Sequence, residues 1–198
     1  MNNNTTRLIL RPWGQLGLAT LLLIVWSAGG WADAGQEAAE EAARSQHAAG
    51  RLAATEHAVA PGIVLTSELY PGALDLMEPS ETLIIDMRTA PEGTAEEAAA
   101  AALRGIAYHN QPISSAAISI ADLDAVAAVL ADAGTRTVVW HCATGNRAGL
   151  FWGALELRRG APLAAVLENL EGVVTSEAVR DALGEFAAGL ELMGGHAD

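Results

Sequence analysis

Cysteine is nearly absent from this chain. Cys142 is the only one in 198 residues, so no internal disulfide can form. Basic residues are also scarce. All 11 are arginine, set against 24 acidic residues, and the formal net charge is −13. Such an acidic chain is a poor match for nucleic acid or for anionic membrane surfaces, so no nucleic-acid partner is expected. No internal repeat is visible. His47, His57 and His196 lie away from Cys142 in sequence and make no ligand spacing with it, so neither a metal nor a cofactor is expected.

Long apolar runs are missing except near the start. Leu16 to Ala28 is apolar apart from the hydroxyls of Thr20 and Ser27; Arg7 and Arg11 precede it and Ala32-Asp33-Ala34 follows. That order reads as a secretory signal peptide over residues 1–34, cut after Ala34. The run is short for a bilayer, which takes about 20 residues, so no stable membrane insertion is expected after cleavage. The alternative is an uncleaved N-terminal anchor. The segment carries Arg7, Arg11 and Asp33, a net of +1. Its removal leaves 198 − 34 = 164 residues with a charge of −13 − 1 = −14. The expected location is periplasmic or secreted. A lone thiol there is either an inert core residue or one kept for its reactivity.

Residues 35–60 are rich in Ala and Glu, with Glu40 and Arg44 at helical spacing, and read as a solvated spacer. A folded domain is expected over 61–193, with a short tail at 194–198. Strand-like runs fall at 83–87, 106–109 and 137–140. Helical patterns fall at 92–103, 120–133, 150–157, 163–170 and 176–192. Alternating strands and helices predict an α/β fold with a mainly parallel central sheet flanked by helices. In such a sheet the binding crevice lies at the carboxyl ends of the strands. Asp86, Arg88, His109 and Cys142 all fall at or just past predicted strand ends.

The chemistry concentrates in Trp140-His141-Cys142-Ala143-Thr144-Gly145-Asn146-Arg147-Ala148-Gly149. Cys142 sits between a strand and a helix, facing the positive end of the helix dipole. The backbone N–H groups of Ala143, Thr144, Gly145, Asn146 and Arg147 can turn inward around one anion. Gly145 permits the tight turn. Arg147 adds a planar fork that suits two oxygens of an oxyanion. These features favour the thiolate as a nucleophile, with His141 ordering the loop through hydrogen bonds.

His-Cys-x-x-Gly followed by Arg resembles the phosphate loop of the cysteine-dependent tyrosine and dual-specificity phosphatases. Ile84-Ile85-Asp86-Met87-Arg88, Tyr108-His109-Asn110-Gln111-Pro112-Ile113 and the Trp140–Gly149 run follow, in order, the bacterial beta-lactamase-hydrolase-like, phosphatase-like branch. The resemblance spans about residues 62 to 160. It implies a tyrosine-phosphatase-like fold, Cys142 as nucleophile, Arg147 as anion binder and a phosphocysteine intermediate. The implied substrate is a small phosphorylated molecule or a phosphopeptide.

Two departures stand out. These phosphatases usually place five residues between Cys and Arg, whereas this chain has four. That length is similar to the active loop of rhodanese-like sulfurtransferases, which would put a persulfide on Cys142. Second, Ala148 stands where the phosphatases carry a hydroxyl that helps the thiolate leave. A general acid is also not singled out. Asp86 either serves as one or pairs structurally with Arg88. His109 is a further pocket candidate, and Asp122 reads as a first-turn helix charge. The alternatives to a phosphatase-like hydrolase are therefore a sulfurtransferase and an oxyanion-binding module with impaired turnover.

Overall fold

The computed structural model of the chain describes residues 50–114 and 117–194. The proposed signal peptide and the first part of the spacer lie outside the described residues, as do residues 195–198. Five strands form one sheet: β1 (Glu56–Ala60), β2 (Ile63–Thr66), β3 (Thr82–Asp86), β4 (Ala107–Asn110) and β5 (Thr137–His141). The helices are α1 (Thr94–Leu103), α2 (Ile120–Asp132), α3 (Asn146–Arg158), α4 (Leu163–Asn169) and α5 (Glu177–Gly194). Among the described residues, no helix is long and apolar enough to cross a membrane.

The strand order is β1-β2-β5-β3-β4. β2, β5, β3 and β4 run parallel, and β1 returns antiparallel along β2. The expected α/β architecture with its mainly parallel sheet is what the chain adopts. β5 is central, hydrogen-bonded to β2 on one side and β3 on the other. That position explains its near-continuous apolar run, Val138-Val139-Trp140, since a central parallel strand is covered on both faces. The sheet also begins earlier than the sequence suggests: β1 lies inside the segment read as spacer. It is a short edge strand whose only buried residue is Val59, so it has little apolar pattern to betray it.

The pleat divides the sheet into two unequal faces. Leu83, Ile85 and Met87 of the β3 strand and its extension, with Val138 and Trp140 of β5, enter the main core beneath α2, α3, α4 and α5. Ile84 faces the other way, into a small cluster with Ala101 of α1 and Ile106. Beyond Ile84 that second face turns polar, with Asp86, Arg88, Tyr108 and His141.

α3 passes through the main core, and nine of its thirteen residues are buried. Two glycines let it do so. A Cβ at Gly149 would lie 2.3 Å from Val174 Cγ2, and one at Gly153 would lie 2.9 Å from Leu183 Cδ2. Gly149, in the Arg-x-Gly part of the motif, is therefore required by packing.

Candidate active site

The cysteine loop starts where β5 ends and closes where α3 begins. Gly145 is the N-cap of α3, with φ +88°, a backbone conformation that glycine adopts without steric cost. No side chain caps this helix and its first turn holds no acidic residue, so its leading N–H groups have no internal acceptor. Cys142 is fully buried. Its sulfur accepts the Gly145 N–H at 3.1 Å, which turns the thiol into the loop even though its side chain also borders the main core.

Arg147 lies beside that sulfur. Three elements hold it. Its Nη1 donates to the carbonyls of Met87 (3.2 Å) and Ile113 (2.8 Å), just past the ends of β3 and β4. Glu92 clasps the guanidinium end-on, with Oε2 3.0 Å from Nη1 and Oε1 2.5 Å from Nη2. None of these bonds uses Nε, so the edge formed by Nε and Nη2 is the one left to meet an anion. The Glu92 hydrogen bond is the main reason the Arg147 pKa is raised; burial opposes it, and the charge of Cys142 adds to it. Cys142 and Arg147, both singled out in the sequence, thus lie beside each other.

Glu92 is a site residue that sequence reasoning missed. It closes a short 3-10 turn, Ala90–Glu92, in a capping box with Thr89. The Thr89 N–H and hydroxyl donate to its Oε2 at 2.8 and 2.7 Å. Bonds from Arg147 first, then from the Thr89 amide, pull the Glu92 carboxyl down to about 2, against the effect of burial. The Thr-x-x-Glu pattern was a readable signal for the turn, although not for the arginine it would bind.

The other loop residues divide into different jobs. Ala143 accepts the Glu68 N–H through its carbonyl at 3.2 Å. The Asn146 side chain is turned away from the sulfur: its Oδ1 accepts the N–H groups of Thr175 (3.0 Å) and Ser176 (2.9 Å), and its Nδ2 donates to Thr144 Oγ1 at 3.0 Å. Asn146 thereby ties the loop to the start of α5. Only its main chain is left to serve an anion. Ala148 is buried in the core and brings no hydroxyl to the sulfur.

Asp86, Arg88 and His141 come together on the opposite, α1-facing side of the sheet. Arg88 donates to Asp86 through its backbone N–H (2.8 Å) and through both Nε and Nη2, and it reaches Glu68 at 2.8 Å and Glu97 at 2.6 Å. The Tyr108 hydroxyl donates to Asp86 Oδ2 at 2.7 Å. Burial would raise the Asp86 pKa; the Arg88 hydrogen bonds, the His141 charge and the Tyr108 bond outweigh it and leave it lowered. The same contacts raise the Arg88 pKa against the effect of burial. Tyr108 is pushed well above its ordinary value, first by burial and then by its bond to Asp86. Of the two sequence readings of Asp86, these contacts match the pairing with Arg88.

His141 Nε2 lies 2.8 Å from Glu97 Oε1 and 3.8 Å from Asp86 Oδ1. Neither ring nitrogen is aligned for a hydrogen bond, so the ring does not order the loop through hydrogen bonds as expected from the sequence; it sits on the other face of the sheet, close to two carboxylates. Asp86, Glu97 and His141 also bring three possible metal-ligand atoms within 4.8 Å of one another, with Arg88 already seated on both carboxylates. His109 stands apart. It pairs with Ile85 in the β3–β4 register, on the main-core face, and its Nε2 is buried without a hydrogen bond. Asp122 receives Gln111 Nε2 at 2.9 Å in the first turn of α2.

No family model matches the sequence, and no curated protein is recognisably similar to it. Solved structures are similar in fold. A "putative phosphatase" of Neisseria meningitidis superposes with a TM-score of 0.58 at 19% identity, covering 66% of this chain and 96% of its own. A "putative phosphatase" of the DUF442 group from Shewanella putrefaciens gives 0.58 at 14% identity, covering 75% and 95%. TpbA of P. aeruginosa, solved with phosphotyrosine, gives 0.53 at 17% identity, covering 71% and 93%. The chain has the fold of the cysteine-dependent, tyrosine-phosphatase-like proteins, as its cysteine loop anticipates.

Proposed function

We propose that this chain is a cysteine-dependent hydrolase of phosphate monoesters, acting after export to the periplasm or cell exterior. One observation carries the reading. The Cys142 sulfur accepts a loop N–H at 3.1 Å beside an arginine whose Nε takes no part in the Glu92 pairing. That supports a nucleophile and an oxyanion fork acting on one group. The Cys142 thiolate attacks phosphorus, an S–P bond forms, and the ester oxygen departs with the electron pair of the broken P–O bond. Water then attacks the phosphocysteine, releasing phosphate and returning the thiolate. Arg147 and the first-turn amides of α3 hold the phosphoryl oxygens through both steps.

Proton supply is the unusual feature of this proposal. Asp86 is committed to Arg88 and Tyr108, and Glu92 to Arg147. We assign neither as general acid. The leaving oxygen then takes its proton from water, which favours esters with acidic alcohols such as phenols. A phosphotyrosine peptide or a small aryl phosphate fits that requirement, and the acidic surface disfavours polyanions. The test is release of phenol and phosphate from an aryl phosphate by the mature protein. Loss on Cys142→Ser and competition by vanadate support the reading; turnover that survives the substitution rejects it.

A second reading, sulfurtransfer through a Cys142 persulfide, is favoured by the four-residue spacing between Cys142 and Arg147 and by the partial neutralisation of Arg147 by Glu92. Formation of thiocyanate from thiosulfate and cyanide separates the two. Binding of phosphate with neither activity identifies an oxyanion-binding module.

A further inference from the structure

We propose that Glu97 is a positioning residue for the nucleophile, acting through His141. The inference rests on Cys142 being the reactive group, as above, but not on phosphoryl chemistry. Glu97 comes from the first turn of α1, and its two oxygens do different things. Oε2 meets Arg88 Nη2 at 2.6 Å, and Oε1 lies 2.8 Å from His141 Nε2. One carboxylate thus links α1, the extension of β3 and the last residue of β5.

The His141 ring has little else to hold it. It is fully buried, and both of its nitrogens lack an aligned hydrogen bond. The titratable and charged groups around it are Asp86 from β3 and Glu97 from α1, joined through hydrogen bonds to Arg88 just beyond β3, Tyr108 from β4 and Glu68 from the segment after β2. Three of these are carboxylates and one is a guanidinium, and Glu97 Oε1 makes the shorter of the two carboxylate contacts to the ring. Asp86 Oδ1 is the next recorded acceptor, at 3.8 Å, and already takes two bonds from Arg88.

His141 is the residue before Cys142. Its backbone is held in the ladder between β2 and β3, its carbonyl accepting the Met87 N–H at 2.9 Å, and the ring contact with Glu97 adds a side-chain anchor at the point where Cys142 leaves the strand. From there the sulfur meets the Gly145 N–H and the side of Arg147. Without Glu97 that anchor is lost, and the sulfur is held less firmly against the donors that stabilise its thiolate.

The test is a double-mutant cycle on thiol reactivity. Glu97→Ala, His141→Ala and the double variant are purified, and folded state is checked by circular dichroism. The second-order rate of iodoacetamide with Cys142 is measured at neutral pH by mass spectrometry. Each single variant is expected to react about fivefold more slowly than wild type, with the double variant no slower than His141→Ala, because coupled residues do not add. A faster reaction of Glu97→Ala overturns the proposal, since a purely structural loss would loosen the loop and uncover a buried thiol. Additive losses, or a wild-type rate, also overturn it. Should Glu97→Ala fail to fold, Glu97→Gln keeps the volume and completes the same cycle. Iodoacetamide needs only the thiol, so failure to hydrolyse aryl phosphates would leave this result standing.

Discussion

Glu92 grips Arg147 end-on, with one carboxylate oxygen on each terminal nitrogen, and leaves the Nε edge of the guanidinium out of that pairing. On the proposed function a phosphoryl group and Glu92 would use different edges of the same fork. The carboxylate would then orient the arginine without displacing the anion. Glu92→Ala is expected to raise KM for an aryl phosphate and weaken vanadate inhibition by about tenfold, as loss of a charge-assisted pair does. Steady-state kinetics check this. A tighter vanadate constant in the variant would mean that Glu92 blocks the fork.

The same pair sets a pH dependence. The folded Glu92 carboxyl is held at about 2, below its ordinary 4.5. A lowered carboxylate stabilises the fold fully above its unfolded value, and the stabilisation is lost as pH falls through the folded one. Acid unfolding of the wild type should thus lose a contribution between about pH 4.5 and 2. Glu92→Gln should lack that component, which fluorescence of Trp140 and Trp152 during acid titration would read.

Asp86 is expected to matter for folding before it matters for chemistry. It is fully buried and faces Arg88, which is almost as deeply buried. Removing one partner of a buried pair leaves the other uncompensated, at a cost of about 3–5 kcal/mol. Asp86→Asn should therefore lower the denaturant midpoint strongly. The folded fraction should retain turnover. A variant of unchanged stability but without activity would return Asp86 to the role of general acid.

Gly149→Ala tests the packing account of the motif. The added methyl would need to displace a Val174 methyl from 2.3 Å, and valine is stiff at χ1. Overpacking of this kind costs about 1–3 kcal/mol, partly offset by about 1 kcal/mol of helix propensity gained over glycine. Gly153→Ala meets the ends of two leucines, which can rotate away, so its melting temperature should fall less. Thermal unfolding of the two variants gives the order directly.

Ala148 leaves the sulfur without a neighbouring hydroxyl at that position, so breakdown of the intermediate should be slower than its formation. Mixing with an aryl phosphate is expected to give a burst of phenol equal to the enzyme concentration, followed by slow turnover. Ala148→Ser should raise the second phase and leave the burst amplitude intact. Stopped-flow absorbance reads both.

The parts that were legible from the sequence are those where local pattern and tertiary role agree. β5 has an apolar run because it is central, and Gly145 stands where a left-handed turn is needed. Cys142 and Arg147 announce themselves by their spacing around that glycine. α2 and α5 carry clear helical patterns. What stayed hidden depends on neighbours distant in sequence. Glu92 and Glu97 look like ordinary acidic positions around the start of α1, and only folding puts one on Arg147 and the other on His141. Asn146 reads as a loop amide, yet its side chain caps a segment about thirty residues away. Edge strand β1 and its neighbour β2 are too short to announce themselves by alternation. Asp86 shows why a strand-end carboxylate is ambiguous: the pleat decides which face it serves, and here that is the α1 face with Arg88, not the loop with Cys142.

The central claim is that Cys142 forms a covalent bond to phosphorus. Protein mixed with a phosphorus-labelled aryl phosphate, quenched within milliseconds and digested, should yield label on the peptide containing Cys142, close to one equivalent per chain, and none in Cys142→Ser. Aryl phosphate turnover with no label on that peptide at any quench time would contradict the account.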